Sequence, residues 1–150
     1  MRRRHPGWVR AFLDEADLEA VRRAVGLAEA DTSAEIRVHL DRRCAGDPLE
    51  RAVAVFERLG MHRTAERHGV LVYVSVTDRK LAVIGDRGIH ERVGDAYWRR
   101  IVADVARHLR EERPRDGLVH AVRELGEALR QHFPRRPDDT DELHDEVSVG

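Results

Sequence analysis

Residues 70–76 (VLVYVSV) form a nearly unbroken run of β-branched, aliphatic and aromatic side chains near the middle of the chain. The run lacks the polar alternation of a strand with one face in water, so it predicts a strand that is covered on both faces. Such a strand needs other strands at its edges and helices above and below it. The run therefore indicates an α/β fold with a central buried strand.

A second strand is predicted for residues 35–41 (EIRVHLD), where polar and apolar side chains alternate strictly. Ile36, Val38 and Leu40 share one face, and the opposite face carries charged residues and a histidine. A strand with one polar face either lies at the edge of a sheet or turns that face toward a functional site.

A third strand, residues 81–84, follows the central run after a short turn at residues 77–79. This spacing predicts an antiparallel hairpin between the two strands. Asp78 precedes the third strand and Asp86 follows it. The hairpin would therefore place these two residues at opposite ends of the sheet, with Asp86 near the start of residues 35–41.

Apolar residues recur at helical spacing in four further segments. Asp14, Asp47 and Asp95 are predicted to cap the first three of these helices. The stripes predicted to be buried are, in chain order, Leu18, Val21, Val25 and Ala28; Leu49, Val53, Phe56 and Leu59; Trp98, Ile101, Val105 and Leu109; and Leu118, Val122, Leu125, Leu129 and Phe133. The element order α-β-α-β-β-α-α predicts a small mixed sheet with helices on both faces.

The length of 150 residues suits one domain, which we predict to occupy residues 13–134. Residues 1–12 are expected to form a basic, irregular arm because Pro6 and Gly7 interrupt any continuous helix. Residues 135–150 are expected to form an acidic tail without a core-forming stripe. The acidic residues of this tail are Asp138, Asp139, Asp141, Glu142, Asp145 and Glu146.

Composition and charge exclude several classes of protein. The net charge of −1 lacks the basic surplus of a nucleic-acid-binding module. No apolar run is long enough to span a membrane, and the basic start has no apolar segment behind it that would make a signal peptide. Cys44 is the single cysteine, so disulfides and cysteine-based zinc cages are excluded and a cytoplasmic location is expected.

The predicted topology gathers acidic residues at each end of the sheet. Two or three converging carboxylates suit a hard cation such as Ca²⁺ or Mg²⁺. Capping and turn roles are the alternative explanation for the same residues, and they need no metal. The two groups are Glu35, Asp86 and Asp95 at one end, and Asp41, Asp47 and Asp78 at the other.

Two other patterns are rejected as sites. Cys44 and Arg51 stand one residue further apart than in the phosphate loop of tyrosine phosphatases, and Pro48 between them removes a backbone donor. His108 and His120 fall on different predicted helices at a spacing that does not join them within one helix. We therefore expect these histidines, and His132, to be solvated or at the edge of the core.

Five segments, taken in their order along the chain, resemble sequences of the TPM domain family, especially those of its soluble bacterial members. The resemblance covers residues 12–148 and implies a three-layer α/β/α sandwich with a small mixed β-sheet and four to five flanking helices. Many secreted members have Gly-Tyr-Gly in place of residues 86–88, so chemistry common to the family cannot depend on Asp86. The matching segments are residues 32–39 (TSAEIRVH), 69–73 (GVLVY), 85–90 (GDRGIH), 93–98 (VGDAYW), and the tail from residue 138 to residue 148.

The resemblance implies two functions. Some members of the family are described as acid phosphatases and some as divalent-cation binders, whereas others act through protein–protein contacts. We favour a cation-binding interaction or scaffold module, whose partner would contact the acidic tail or the predicted edge strand at residues 35–41. The alternative is a metal-assisted phosphatase acting on phosphomonoesters, with Ca²⁺ or Mg²⁺ held by Asp86, Asp95 and Glu35 and no organic cofactor. In that case Arg37 or Arg87 would stabilise charge on the phosphate.

Overall fold

The computed structural model describes residues 5–61, 68–135 and 147–150. Within these ranges the chain forms five helices and four strands. In chain order they are α1 (Gly7–Phe12), α2 (Glu15–Ala30), β1 (Glu35–Asp41), α3 (Pro48–Arg58), β2 (Gly69–Ser75), β3 (Lys80–Gly85), α4 (Arg87–Arg110), α5 (Pro114–His132) and β4 (Val147–Val149).

The four strands form one mixed sheet in the order β3-β2-β1-β4. β1 runs parallel to both β2 and β4, whereas β2 and β3 form the antiparallel hairpin that the sequence predicts. Every residue of β2 is buried, as expected for a central strand covered on both faces. The predicted reversal of the chain after β2 is therefore confirmed.

Helices cover the sheet on both sides, and the three-layer α/β/α prediction is confirmed. On one side, Ile36, Val38 and Leu40 of β1 join a large apolar core with α1, α2, α4 and α5. On the other side, Leu71 and Tyr73 of β2 belong to a smaller core that α3 covers. The alternation of side chains along a strand separates the two cores.

β1 is an internal strand, so the expected edge position for residues 35–41 is wrong. The short β4 pairs with Val38, His39 and Leu40 on the side of β1 away from β2. Val147 is only 5% exposed and belongs to the large core. The expectation that the tail lacks core residues is therefore also wrong for residues 147–149. The six acidic residues named for the tail lie outside the described residues.

The prediction of an irregular arm is wrong for residues 7–12, which form the helix α1. The carbonyl of Pro6 accepts the backbone N–H groups of Val9 and Arg10 at 3.0 and 3.2 Å. Proline prevents a helix from continuing upstream but is tolerated at its start. Val9 is fully buried in the large core, and this burial anchors the short helix to the domain.

The buried face of α3 differs from the predicted stripe. Leu49 and Val53 are 51% and 44% exposed, whereas Ala52 and Val55 are fully buried. The small side chain of Ala52 allows the helix to approach the sheet closely. The prediction from apolar spacing therefore selected the wrong side of α3 for its first two residues.

α4 begins at Arg87, earlier than the sequence indicates, and Asp95 begins only the second part of this helix, after a kink. Asp86 caps the helix by accepting the backbone N–H of Ile89 at 3.0 Å. At Gly94 the backbone is non-helical, with φ of +79°, and the helix kinks immediately before Asp95. Glycine adopts this left-handed conformation without steric cost.

No helix within the described ranges is long and apolar enough to cross a membrane. The cytoplasmic location stays a prediction.

Candidate functional site

Asp41 is a buried carboxylate at the carboxyl end of β1, where it is only 4% exposed. Arg51, in the second turn of α3, donates to it through Nε at 2.8 Å and Nη2 at 3.4 Å. The hydroxyl of Tyr73 on the neighbouring strand donates to Oδ2 at 2.7 Å. The charge of Asp41 is therefore satisfied by groups from two neighbouring elements, α3 and β2.

His39 continues this network along the same face of β1. Its Nε2 lies 3.0 Å from Asp41 Oδ1, and its Nδ1 lies 2.7 Å from the hydroxyl of Ser148 on β4. An ionised carboxylate only accepts hydrogen bonds, so Nε2 carries the proton and Nδ1 accepts from Ser148. The polar face of β1 thus ties the C-terminal strand to the sheet.

Burial and hydrogen bonding determine the charges in the network. Burial lowers the pKa of His39 against the opposing effect of Asp41, so the imidazole is neutral. Burial alone would raise the pKa of Asp41, but hydrogen bonds from Arg51, Tyr73 and His39 outweigh it and lower the pKa to about 2. Burial and the bond to Asp41 raise the pKa of Tyr73, which stays protonated.

An open cavity of about 590 Å³ adjoins this network. It lies at the carboxyl ends of β1 and β4, the edge of an α/β sheet where ligands commonly bind. Arg42 and Arg43 are exposed at the cavity and have no ion-pair partner among the described residues. The lining residues are Asp41, Arg42, Arg43, Cys44, Ala45, Gly46, Asp47, Glu50, Arg51 and Gly150.

The loop that follows β1 is held in place by the β2–β3 hairpin. Asp78 accepts the backbone N–H of Cys44 at 2.6 Å. The ammonium group of Lys80 donates to the carbonyls of Cys44 and Gly46, both at 2.8 Å. These contacts fix the backbone that carries Arg42 and Arg43, so this side of the cavity is preorganised.

The acidic group Asp41, Asp47 and Asp78 lies at this end of the sheet, but each carboxylate has its own structural partner. Asp47 caps α3 by accepting the backbone N–H of Leu49 at 2.9 Å. Asp41 binds Arg51, and Asp78 binds the Cys44 amide. Asp47 and Asp78 therefore fill the capping and turn roles that are the alternative to a metal site, and Asp41 is held by its ion pair with Arg51.

Glu35 and Asp86, two members of the other predicted acidic group, lie at the opposite end of the sheet. Glu35 pairs in register with Gly69, whose backbone N–H donates to Asp86 at 3.0 Å, so Glu35 and Asp86 flank the same residue. Asp86 also accepts from Ile89, and it lies 3.2 Å from His68 Nδ1. Its carboxylate therefore has a complete structural role at the start of α4.

Glu35 and Asp95 each lie beside a basic side chain. The Glu35 carboxylate accepts Arg37 Nε at 2.7 Å. Asp95 has a 77% exposed side chain and lies 3.5 Å from His90 Nε2. Among the described residues, Glu35, Asp86 and Asp95 are not a group whose donor atoms all converge on one point. The metal site at these three residues stays a prediction.

The described residues contain one group of three donors that converge, and the sequence did not predict it. Asp104 lies on α4, and His120 and Glu124 lie on α5; one ligand atom from each is within 4.8 Å of the other two. The signal was available as two pairs at i and i+4, Asp104 with His108 and His120 with Glu124. It was missed because the histidines were considered within single helices.

Comparison with known proteins agrees with this fold. A family model for the TPM domain matches residues 9–128. The structure is similar to the NMR structure of BA42 protein from the psychrophilic bacterium Bizionia argentinensis, with 37% sequence identity and a TM-score of 0.84. That similarity covers 93% of this chain and 96% of the BA42 chain. No curated protein sequence matches the chain significantly. This chain therefore belongs to the TPM domain family.

Proposed function

We propose that this chain is a non-catalytic interaction module that holds an anionic group of a partner protein in the cavity at the carboxyl ends of β1 and β4. The observation that carries the proposal is the exposure of Arg42 and Arg43 at this cavity without an ion-pair partner among the described residues. A guanidinium group binds a phosphate or carboxylate through two parallel hydrogen bonds.

The other charges around the cavity leave one net positive charge to face a ligand when the charge of Asp47 is assigned to the start of α3. Arg51 and Asp41 neutralise each other. Asp47 faces the backbone N–H groups at the start of α3, whose helix dipole favours negative charge. Glu50 is the remaining acidic residue of the lining, so it offsets one of the two free positive charges.

The lining favours binding over catalysis. It contains no serine, threonine or histidine, and its one thiol, Cys44, is buried against α3 with Sγ 3.5 Å from the Gly46 carbonyl. His39, the imidazole that adjoins the cavity through Asp41, is only 1% exposed. A hydroxyl or thiol nucleophile activated by an adjacent imidazole is therefore not offered by this part of the described chain.

A protein partner is favoured because apolar surface adjoins the charged cavity. Leu49 and Val53 are one helical turn apart on α3 and are both exposed. Exposed apolar residues beside a polar recognition group are typical of protein–protein interfaces. A partner segment carrying an acidic or phosphorylated residue next to an apolar one would match this surface.

The test uses inorganic phosphate as a probe, with backbone amide NMR shifts as the readout. Phosphate is expected to shift the amide signals of residues 42–51. The double variant R42A/R43A is expected to weaken phosphate binding by about tenfold. A hydrogen bond to a charged group contributes about 1.5–3 kcal/mol when buried and less at an exposed site. R23A/R99A removes the same charge from exposed arginines outside the cavity and should bind as the wild type does. Equal affinity in R42A/R43A would refute the site.

A second candidate is a divalent-cation site at the amino end of β1, which would also serve a metal-assisted phosphatase. It is supported by the register that places Glu35 and Asp86 on either side of Gly69, with the exposed Asp95 following on α4. Carboxylate oxygens are the ligands that Ca²⁺ and Mg²⁺ prefer.

Asp95→Asn is the variant that tests this second candidate. Asp95 is exposed and caps nothing, so the variant should fold normally but bind Ca²⁺ at least about tenfold more weakly in a calorimetric titration. Asp31→Asn changes another exposed aspartate and serves as the control. Hydrolysis of p-nitrophenyl phosphate with and without Mg²⁺ measures the phosphatase arm. Identical Ca²⁺ binding by Asp95→Asn and the wild type would rule out Asp95 as a ligand.

A further inference from the structure

We propose that Asp104, His120 and Glu124 form a binding site for a divalent transition-metal ion, with Zn²⁺ as the typical occupant. The site would lie between α4 and α5, which cover the opposite side of the sheet from α3. It is therefore separate from the anion cavity and from the carboxylates at the amino end of β1.

The helical spacing explains why these donors meet. His120 and Glu124 are four residues apart on α5, so their side chains share one face of that helix. Asp104 lies on the part of α4 that packs against this face. Side chains from two packed helices therefore converge, as they do in metal sites within helical bundles.

The distances are close to those that a bound ion would impose. His120 Nε2 lies 3.2 Å from Glu124 Oε1 and 3.9 Å from Asp104 Oδ2. Tetrahedral Zn²⁺ with bonds of about 2.0–2.2 Å holds its donors about 3.3–3.6 Å apart. All three side chains are partly exposed, so the small remaining adjustment needs no repacking of the core.

The ion-free arrangement leaves this cluster incompletely satisfied. His120 Nε2, which carries at most one proton, lies 3.2 Å from Glu124 Oε1 in an ion-pair contact, and its 3.9 Å separation from Asp104 is too long for a hydrogen bond. Glu124 Oε2 is buried and has no hydrogen-bond donor in the described part of the chain, although the guanidinium of Arg100 lies 3.5 Å away. A central cation would replace the proton and contact all three donors.

The donor set favours a transition ion over Ca²⁺ or Mg²⁺. Imidazole nitrogen is a good ligand for Zn²⁺, Co²⁺ and Ni²⁺, whereas hard cations prefer an all-oxygen environment. Three protein ligands leave at least one position of a tetrahedral ion open to water. His108 is not counted as a ligand because its Nδ1 bonds the Asp104 carbonyl at 2.7 Å and its other nitrogen is not among the converging atoms.

Competition between the untagged full-length chain and a chromophoric Zn²⁺ chelator measures the affinity. We expect Zn²⁺ to bind the wild type, and His120→Ala and Glu124→Gln each to weaken binding at least about tenfold, since even residues that only support ligands cost 10–100-fold in metal affinity. His132→Ala removes another exposed histidine of α5 and should bind as the wild type does.

A second measurement locates the ion. Co²⁺ is paramagnetic, and it should broaden the amide signals around residues 104, 120 and 124 in the wild type but leave them sharp in His120→Ala. Zn²⁺ held elsewhere in the chain would bind His120→Ala as tightly as the wild type, and that result would overturn the proposal. Absence of Zn²⁺ binding by the wild type would overturn it as well.

Discussion

Replacing Asp41 with alanine is expected to lower the free energy of unfolding by about 2–4 kcal/mol. The substitution removes the acceptor shared by Arg51, Tyr73 and His39. The Tyr73 hydroxyl and the His39 ring are buried, so each loses a partner that water cannot replace. Arg51 is partly exposed and regains hydration, so the expected range begins lower than the roughly 3–5 kcal/mol of a fully buried ion pair.

Urea denaturation at neutral pH measures this loss. Asp31→Ala replaces an exposed aspartate at the end of α2 and should change stability by no more than about 0.5 kcal/mol. Asp41→Ala is also expected to bind phosphate more tightly than the wild type, because its Arg51 side chain is no longer paired with Asp41 and is available to the anion. A stability change as small as that of Asp31→Ala would show that the buried network contributes little to folding.

Acidification is expected to reduce the stability of the wild type in two stages. Burial lowers the pKa of His39 below its ordinary 6.5. Below pH 6.5 the His39 side chain therefore binds a proton in the unfolded chain but not in the folded chain. The free energy of unfolding falls as a result. The pKa of Asp41 falls from 3.8 to about 2, so its contribution is complete above 3.8 and is lost as the pH drops toward 2. The second stage amounts to about 2 kcal/mol.

Two variants separate the stages. In His39→Gln the first decrease should be absent, while in Asp41→Asn the second should be absent. The measurement is the urea midpoint of each protein from about pH 7 to about pH 3. The difference in stability between the wild type and Asp41→Asn should narrow as the pH falls below about 4. A difference that stays constant over this range would show that the carboxyl of Asp41 has an ordinary pKa in the folded chain.

Local patterns in the sequence predict much of the fold. The apolar run of β2, the alternation along β1 and the short turn before β3 led to the correct strands and the correct hairpin. Asp14 and Asp47 cap α2 and α3 as predicted. These features depend on residues within a few positions of each other, so propensity and spacing are enough to identify them.

The candidate sites required the tertiary structure. The polar face of β1 indicated either an edge strand or a strand that faces a site. The sequence did not indicate which side chains would meet His39 and Asp41 on that face, namely Arg51, Tyr73 and Ser148. Asp104 and His120 come together because two helices pack at one particular rotation. Side-chain contacts between elements depend on this rotation, which apolar periodicity defines only to within one face of a helix.

The amino-acid sequence by itself determined the central buried strand, the hairpin and the opposite ends of the sheet at which Asp78 and Asp86 lie. Only the tertiary structure decided that β4, three residues long, pairs with β1 and makes it an internal strand. A strand this short has almost no local signal, and it forms because Val38, His39 and Leu40 offer an open edge to a segment more than one hundred residues away. The long-range hydrogen bonds and the burial of Val147 stabilise it.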